Sequence, residues 1–232
     1  MKKNDLASHL DRRLLLMAGS CLALTACGSL DKLIGPPDAP QIYALRPPAP
    51  TMQSSGNKVG WALAIQKPDA PGNLDSARIA LARNSTQLDY YANAAWPDRL
   101  PDLVQTALLA GFETSGRIDA VSRDDDALQS DYQLSTDLRA FEARYDTPAG
   151  APGVAVSIIA HMADTKSRKI LANLSVDLTE PASANSVDAV VQALNAALAK
   201  AVEQIVQWAL ALPPPAADIV PERAPVKPAR AP

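Results

Sequence analysis

The chain has 232 residues, 47% of them apolar, with 22 Lys and Arg against 25 Asp and Glu for a net charge of -3. The basic residues form no stripe, which excludes a surface that tracks nucleic-acid phosphates. Two cysteines and two histidines are too few for a cysteine or multi-histidine zinc site, and no Walker A, G-x-G-x-x-G or G-x-S-x-G stretch occurs.

Lys2, Lys3, Arg12 and Arg13 precede an apolar run from Leu14 to Leu24, followed by Thr25, Ala26 and Cys27. This is the three-part layout of an export signal, and it falls short of the roughly 20 apolar residues needed to span a bilayer. Asp11-Arg12-Arg13-Leu14-Leu15-Leu16 faintly resembles a twin-arginine signal, so the export route stays open between the two pathways. Without residues 1–26 the chain keeps 18 Lys and Arg against 23 Asp and Glu, one cysteine (Cys27) and one histidine (His161), because Cys21 and His9 lie in the signal. No internal disulfide can then form, so apolar packing must hold the fold.

Residues 27–40 (CGSLDKLIGPPDAP) place Pro36, Pro37 and Pro40 among small and polar residues, the composition of a flexible tether. Its 13 residues after Cys27 reach at most about 43–47 Å. Short strand-like runs follow at 41–45 and 59–66, then at 78–82 and 87–92 around Arg83-Asn84-Ser85-Thr86, which predicts a hairpin. Trp96-Pro97-Asp98 opens a helix with Asp98 as the expected cap and Pro101 in its first turn; Leu100, Leu103, Val104, Ala107, Leu108 and Gly111 recur at helical spacing, and Gly116 stops it.

A strand-like run at 118–122 leads to Asp124, Asp125 and Asp126. Three adjacent acids in a connection, without D-x-D-x-D-G spacing, read as a solvated turn and not as a metal site. Along residues 131–145 the alternation Tyr132, Leu134, Thr136, Leu138, Ala140 gives way to Phe141, Ala143, Tyr145. A slip of one residue flips faces, which predicts a bulge near Ala140 or a long strand serving two surfaces. Runs at 154–163 and 169–179 form a second predicted hairpin, with His161 on the solvent side of the first strand and Ile170, Ala172, Leu174, Val176 and Leu178 sharing one side of the second. Val187, Val191, Leu194, Leu198, Ala201, Ile205, Trp208 and Leu212 mark one face of a long helix whose polar positions suit packing on the chain's own sheet. Pro213-Pro214-Pro215 ends it, and residues 213–232 read as an extended Ala/Pro-rich tail. The expected fold is therefore α+β: a mostly antiparallel or mixed sheet packed by two helices, the longer one C-terminal, over residues 41–212.

Leu24-Thr25-Ala26-Cys27 resembles the lipobox of bacterial lipoproteins. With Tyr43-Ala44-Leu45, Leu74-Asp75-Ser76-Ala77-Arg78-Ile79, Leu88-Asp89-Tyr90-Tyr91-Ala92, Trp96, Asp131-Tyr132-Gln133-Leu134, Leu138, Phe141, Glu142 and the long final helix in that order, the chain resembles the auxiliary lipoproteins of bacterial ABC-type transport systems. The resemblance implies cleavage before Cys27 and attachment of lipid, palmitate among the acyl chains, at that residue. Gly28 in place of an aspartate favours the outer membrane, facing the periplasm, with the inner membrane as the alternative. It further implies a non-enzymatic docking role beside a permease, an ATPase and a mammalian-cell-entry-type protein that carries lipid between membranes, and it admits a homo-oligomer. No catalytic, metal or cofactor-binding residue carries over, and the covalent lipid on Cys27 is the one attached group implied. The alternative is an assembly or scaffold lipoprotein of another envelope complex, touching the cell wall through its Pro-rich tail. Trp61, Trp96, Tyr90 and Tyr91 are open between an interaction surface and the core.

Overall fold

The computed structural model describes residues 39–47, 57–84, 86–126, 128–145 and 150–214. Cys27, the tether up to residue 38 and the tail from Pro215 lie outside the described residues. From Pro40 onward the chain is one unit, built of strands β1 (Gln41–Ile42), β2 (Leu63–Ile65), β3 (Arg78–Ala82) and β4 (Leu88–Ala95), helix α1 (Leu100–Ser115), strands β5 (Val121–Arg123), β6 (Tyr132–Arg144), β7 (Gly153–Asp164) and β8 (Lys169–Pro181), and helix α2 (Val187–Leu210). The strands form one mixed eight-stranded sheet. The expected α+β architecture is the one observed.

β6 organises that sheet. On one side β7 pairs with it antiparallel along its full length. On the other, β2 runs parallel to its first residues, Tyr132 to Leu134, and β3 parallel to its last, Glu142 to Arg144. Between them the chain keeps contact with the strand through Gln66 N–H to Leu134 O (2.8 Å), Asp69 N–H to Thr136 O (2.9 Å) and Leu138 N–H to Asp69 O (2.7 Å). The phase change read from the sequence is a bulge at Arg139: Leu138 pairs with Ile158, but Ala140 pairs with Ser157. The extra residue moves the core-facing set from Leu134 and Leu138 to Phe141 and Ala143, and all four are buried. Of the two anticipated explanations, the bulge is the one the pairing shows.

Both predicted hairpins form, β3 with β4 and β7 with β8. In the first turn Asn84 Oδ1 accepts from Thr86 N–H at 3.0 Å, the Asx geometry that favours asparagine in turns. In the second hairpin one expectation fails. Met162 pairs with Ala172 but Ala163 pairs with Ile170, so Leu171 is an extra residue. The slip takes Ile170 off the face it was expected to share with Ala172, leaving it 62% exposed beside a 49% exposed Leu171.

The helix expected to start at Asp98 instead has Arg99 at its N-cap, with no side-chain cap. The Asp98 carboxylate accepts from the adjacent Arg99 N–H at 2.7 Å, one residue too early to satisfy the first turn, and the Arg99 guanidinium turns back to the Asp75 carboxylate. Gly116 ends the helix at φ 62°, a left-handed conformation that glycine adopts without a Cβ penalty. Ser186 caps α2 by accepting from Ala189 N–H at 3.3 Å.

α2 is long and apolar enough by composition to cross a bilayer, yet most of it is buried. It lies against β7, β8 and α1. The predicted stripe is buried at Val191, Leu194, Leu198, Ala201 and Ile205, and Val202 and Val206 add a second buried side toward α1. Trp61 stacks edge-on to Tyr132 (5.1 Å) and Trp96 edge-on to Phe141 (6.2 Å), and both tryptophans belong to the core.

The helices meet at Gly111, where a Cβ would stand 2.3 Å from Val202 Cγ1. Alanine gains about 1 kcal/mol of helix propensity over glycine, but overpacking costs about 1–3 kcal/mol. Gly111→Ala should therefore lower stability by up to about 2 kcal/mol in urea denaturation. In a Val202→Ala background the same change should become stabilising, because only the propensity term is left. An equal loss in both backgrounds would show that the helices do not touch there.

Candidate functional site

Three features of the folded domain offer chemistry or shape. The first is a groove of about 300 Å³ between α1 and α2, with Leu103, Ala107 and Ala110 on one wall and Ala199 and Val202 on the other. Its rim is supplied by Leu45, Arg46 and Pro47. Those residues reach the helices because Tyr43 N–H donates to Ala95 O at 2.8 Å and Asn195 Nδ2 donates to Ala44 O at 3.3 Å. The small residues at 107, 110 and 199 keep the walls low. Helical spacing marks Leu103 and Ala107 as apolar, but nothing in the sequence brings residues 45–47 to them.

The second feature is the polar lattice on the sheet face away from the helices. His161, Ser135 and Asn173 stand side by side on β7, β6 and β8. His161 Nδ1 lies 2.6 Å from Asn173 Oδ1, a hydrogen bond between the two side chains across the strands. Nε2 lies 3.8 Å from Asp137, which Arg139 holds at 2.9 Å. Ser157 Oγ (2.5 Å) and Ser175 Oγ (3.0 Å) donate to Asp177. His161 thus sits in the solvent-side phase that the alternation predicts, with its ring engaged across the strands.

The third is the set of hydrogen-bonded acids and phenols. Asp124, Asp125 and Asp126 form one exposed 3-10 turn. Asp126 accepts from Arg123 N–H at 3.0 Å, and Arg123 in turn donates to Gln105 Oε1 (2.6 Å) and Thr106 Oγ1 (2.9 Å). The buried Gln105 donates to Ile65 O at 2.9 Å, so this network latches α1 to β2 and β5. Among the described residues no cluster of His, Cys, Asp or Glu has the geometry to hold a metal.

Tyr91 and Tyr145 hydroxyls lie 2.9 Å apart, and Tyr145 donates to Asn185 Oδ1. Burial, followed by the bond to Tyr145, raises the Tyr91 pKa, so this hydroxyl keeps its proton. Arg78 lies over the Tyr90 ring at 3.6 Å. The aromatic residues left open between surface and core are thus divided: two tryptophans inside, two tyrosines half-buried in local contacts.

Carboxylate pKa values give the fold a predictable acid limit. Asp177 is held below its ordinary 3.8 by the Ser157 and then the Ser175 hydroxyl. Asp164 is held down first by Ser167 N–H, and Asp89 first by Tyr90 N–H and next by Arg83. A lowered folded-state pKa contributes stability that is fully present above the unfolded value and is lost as pH falls through the folded one. Stability should accordingly hold as pH drops from 7 towards the ordinary carboxylate value and decline below it, with proton uptake on unfolding. Asp177→Asn should reduce that uptake in denaturation followed across pH; an unchanged profile would mean the two serines do not hold the carboxylate.

The sequence profile of the ABC-type transport auxiliary lipoprotein component family matches residues 43–206, from the segment that crosses to the helices through most of α2. An uncharacterized protein of Bradyrhizobium diazoefficiens is 30% identical over 174 residues, 75% of this chain. The match takes in 46% of that relative, so the chain spans about half its length. The crystal structure of protein XCC0632 from Xanthomonas campestris superposes with a TM-score of 0.68 at 29% identity, covering 73% of this chain and 94% of that one. A second crystal structure, of an uncharacterized protein, gives 0.59 at 16% identity over 74% of this chain and 99% of its own, a likeness of fold alone.

Proposed function

Because this chain belongs to the family of ABC-type transport auxiliary lipoprotein components, we propose that it is the periplasmic docking lipoprotein of such a transporter, non-enzymatic and fixed to the outer membrane through acylated Cys27. In this reading its partners are a permease, an ATPase and a mammalian-cell-entry-type protein, and the system moves lipid between the two membranes. The observation that carries the proposal is the match over residues 43–206, which coincides with the packed domain. Two acyl chains already anchor a protein stably, at about 0.8 kcal/mol per buried CH₂. A domain held that way works by position. Its conspicuous polar groups serve the fold: Arg123, Gln105 and Asp126 lock α1 to the sheet.

Cys27→Ala is the direct test of the anchor. The variant should escape signal processing, lose incorporation of labelled palmitate and leave the outer-membrane fraction; unchanged processing and fractionation would overturn the anchor. Photo-crosslinkers placed on the domain in cells should capture a mammalian-cell-entry-type protein, whereas capture of cell-wall enzymes alone would favour the scaffold role.

The C-terminal tail separates the two roles more simply. Tyr132 Oη donates to Pro213 O at 2.8 Å, so a chain ending at Pro214 keeps the last contact described for the domain. That truncation should preserve transporter crosslinking and thermal stability. A scaffold that depends on the tail would lose its partner.

A further inference from the structure

We propose that the tip of the β7–β8 hairpin is a second membrane contact, one that takes the surface of a bilayer containing anionic phospholipid. The inference rests on the Cys27 anchor proposed above for the setting in which the tip works, but not for its chemistry.

Lys166 to Leu171 are six consecutive exposed residues: three cations, one serine and the Ile170-Leu171 pair. Ordinary alternation would turn one of these two apolar side chains inward. The bulge at Leu171 leaves both outside, at 62% and 49% exposure. Leu128, 66% exposed, lies at the same end of the molecule, two residues before Ser130, whose carbonyl accepts from Thr165 Oγ1 at 2.5 Å. Three of the five exposed large apolar side chains among the described residues therefore gather here.

The tip is held in shape. Ser167 N–H donates to Asp164 Oδ1 at 2.6 Å and Arg168 N–H to Asp164 O at 2.9 Å. Arg168 has φ 55°, in the left-handed region where glycine is at ease and a long side chain is strained. A position that favours glycine thus carries a guanidinium, and a strained residue of this kind is a reasoned pointer to function. Among the described residues Arg168 and Lys169 pair with no carboxylate, so their charge is available to an outside anion.

An acidic protein surface would satisfy the cations, but a bilayer is the occupant that the chain itself brings close. An anchor at Cys27 followed by 13 residues keeps Gln41 within about 43–47 Å of lipid throughout the protein's life, so even a weak contact forms at high effective concentration. Cations flanking an apolar pair match the headgroup layer and the acyl boundary beneath it.

The test uses the chain without residues 1–27, which keeps the whole described core cluster from Trp61 to Leu210 and whose folding is checked by its melting transition, mixed with vesicles of phosphatidylglycerol and phosphatidylcholine or of phosphatidylcholine alone. The chain should cosediment with the anionic vesicles and be released by about 0.5 M salt, where screening is nearly complete over a few ångströms. Each cation near such a surface is worth about fivefold in partitioning. Arg168→Gly with Lys169→Gln should lower binding roughly 20-fold, with a melting temperature equal to or above that of the parent chain. Ile170→Ser with Leu171→Ser should weaken binding to the same vesicles while leaving the cations in place. Absence of vesicle binding, binding indifferent to these substitutions, or crosslinking of the tip in cells to an acidic protein instead of lipid would overturn the proposal. Because this chain carries no Cys27, failure here leaves the anchor standing, and failure of the Cys27→Ala test leaves this result readable.

Discussion

The pairing of β6 on both its edges is the constraint from which the rest of the domain follows. A single strand of 13 residues accepts β7 along one side and divides the other between β2 and β3. Its buried side chains, Tyr132, Leu134, Leu138 and Phe141, share one core cluster with the buried faces of both helices. The described residues contain no cysteine, so no disulfide enforces such an arrangement. Apolar burial and ladder hydrogen bonds must do so, and the exclusion of water from both edges of β6 makes each of those bonds costly to break.

Three irregularities then decide what the sheet presents. The bulge at Arg139 changes which residues of β6 face the helices, and places Arg139 beside Asp137 and His161 on the open side. Residues 91–94 of β4 stand opposite the single Ile79 of β3, with Asn93 at φ 53°, and from this loop-out Tyr91 reaches Tyr145. The bulge at Leu171 turns an apolar pair outward at a hairpin tip. Bulges re-aim side chains at the cost of local pairing, and here each one produces a contact or an exposed group that a regular ladder would have withheld.

In the proposed role the protein works by position. α1 is latched to the sheet through Gln105 and Arg123, and the helices touch closely at Gly111 and Val202, so the domain is a rigid body between a lipid attachment and a transporter in the proposed role. The proposed membrane contact at the β7–β8 tip fits that role, because a tether alone fixes distance and leaves orientation free. A second weak contact would restrict which face the domain turns towards its partners.

The sequence by itself determined the periodic elements: both hairpins, both helices, the Gly116 stop, the phase change near Ala140 and the solvent side of His161 all follow from local alternation, helical spacing and turn chemistry. It also carried the resemblance that the family match bears out. Tertiary structure alone decided the parallel pairings of β2 and β3 with β6, because partners separated by tens of residues leave no local trace. It likewise decided that Arg99 swings to Asp75 while Asp98 fails to cap, that Trp61 and Trp96 are core, and that residues 45–47 cross to the groove between the helices. Ile170 shows the reason most directly. Its place in the alternation with Ala172, Leu174 and Val176 points inward, yet one unpaired residue at Leu171 reverses it, and whether a residue is paired depends on the strand opposite.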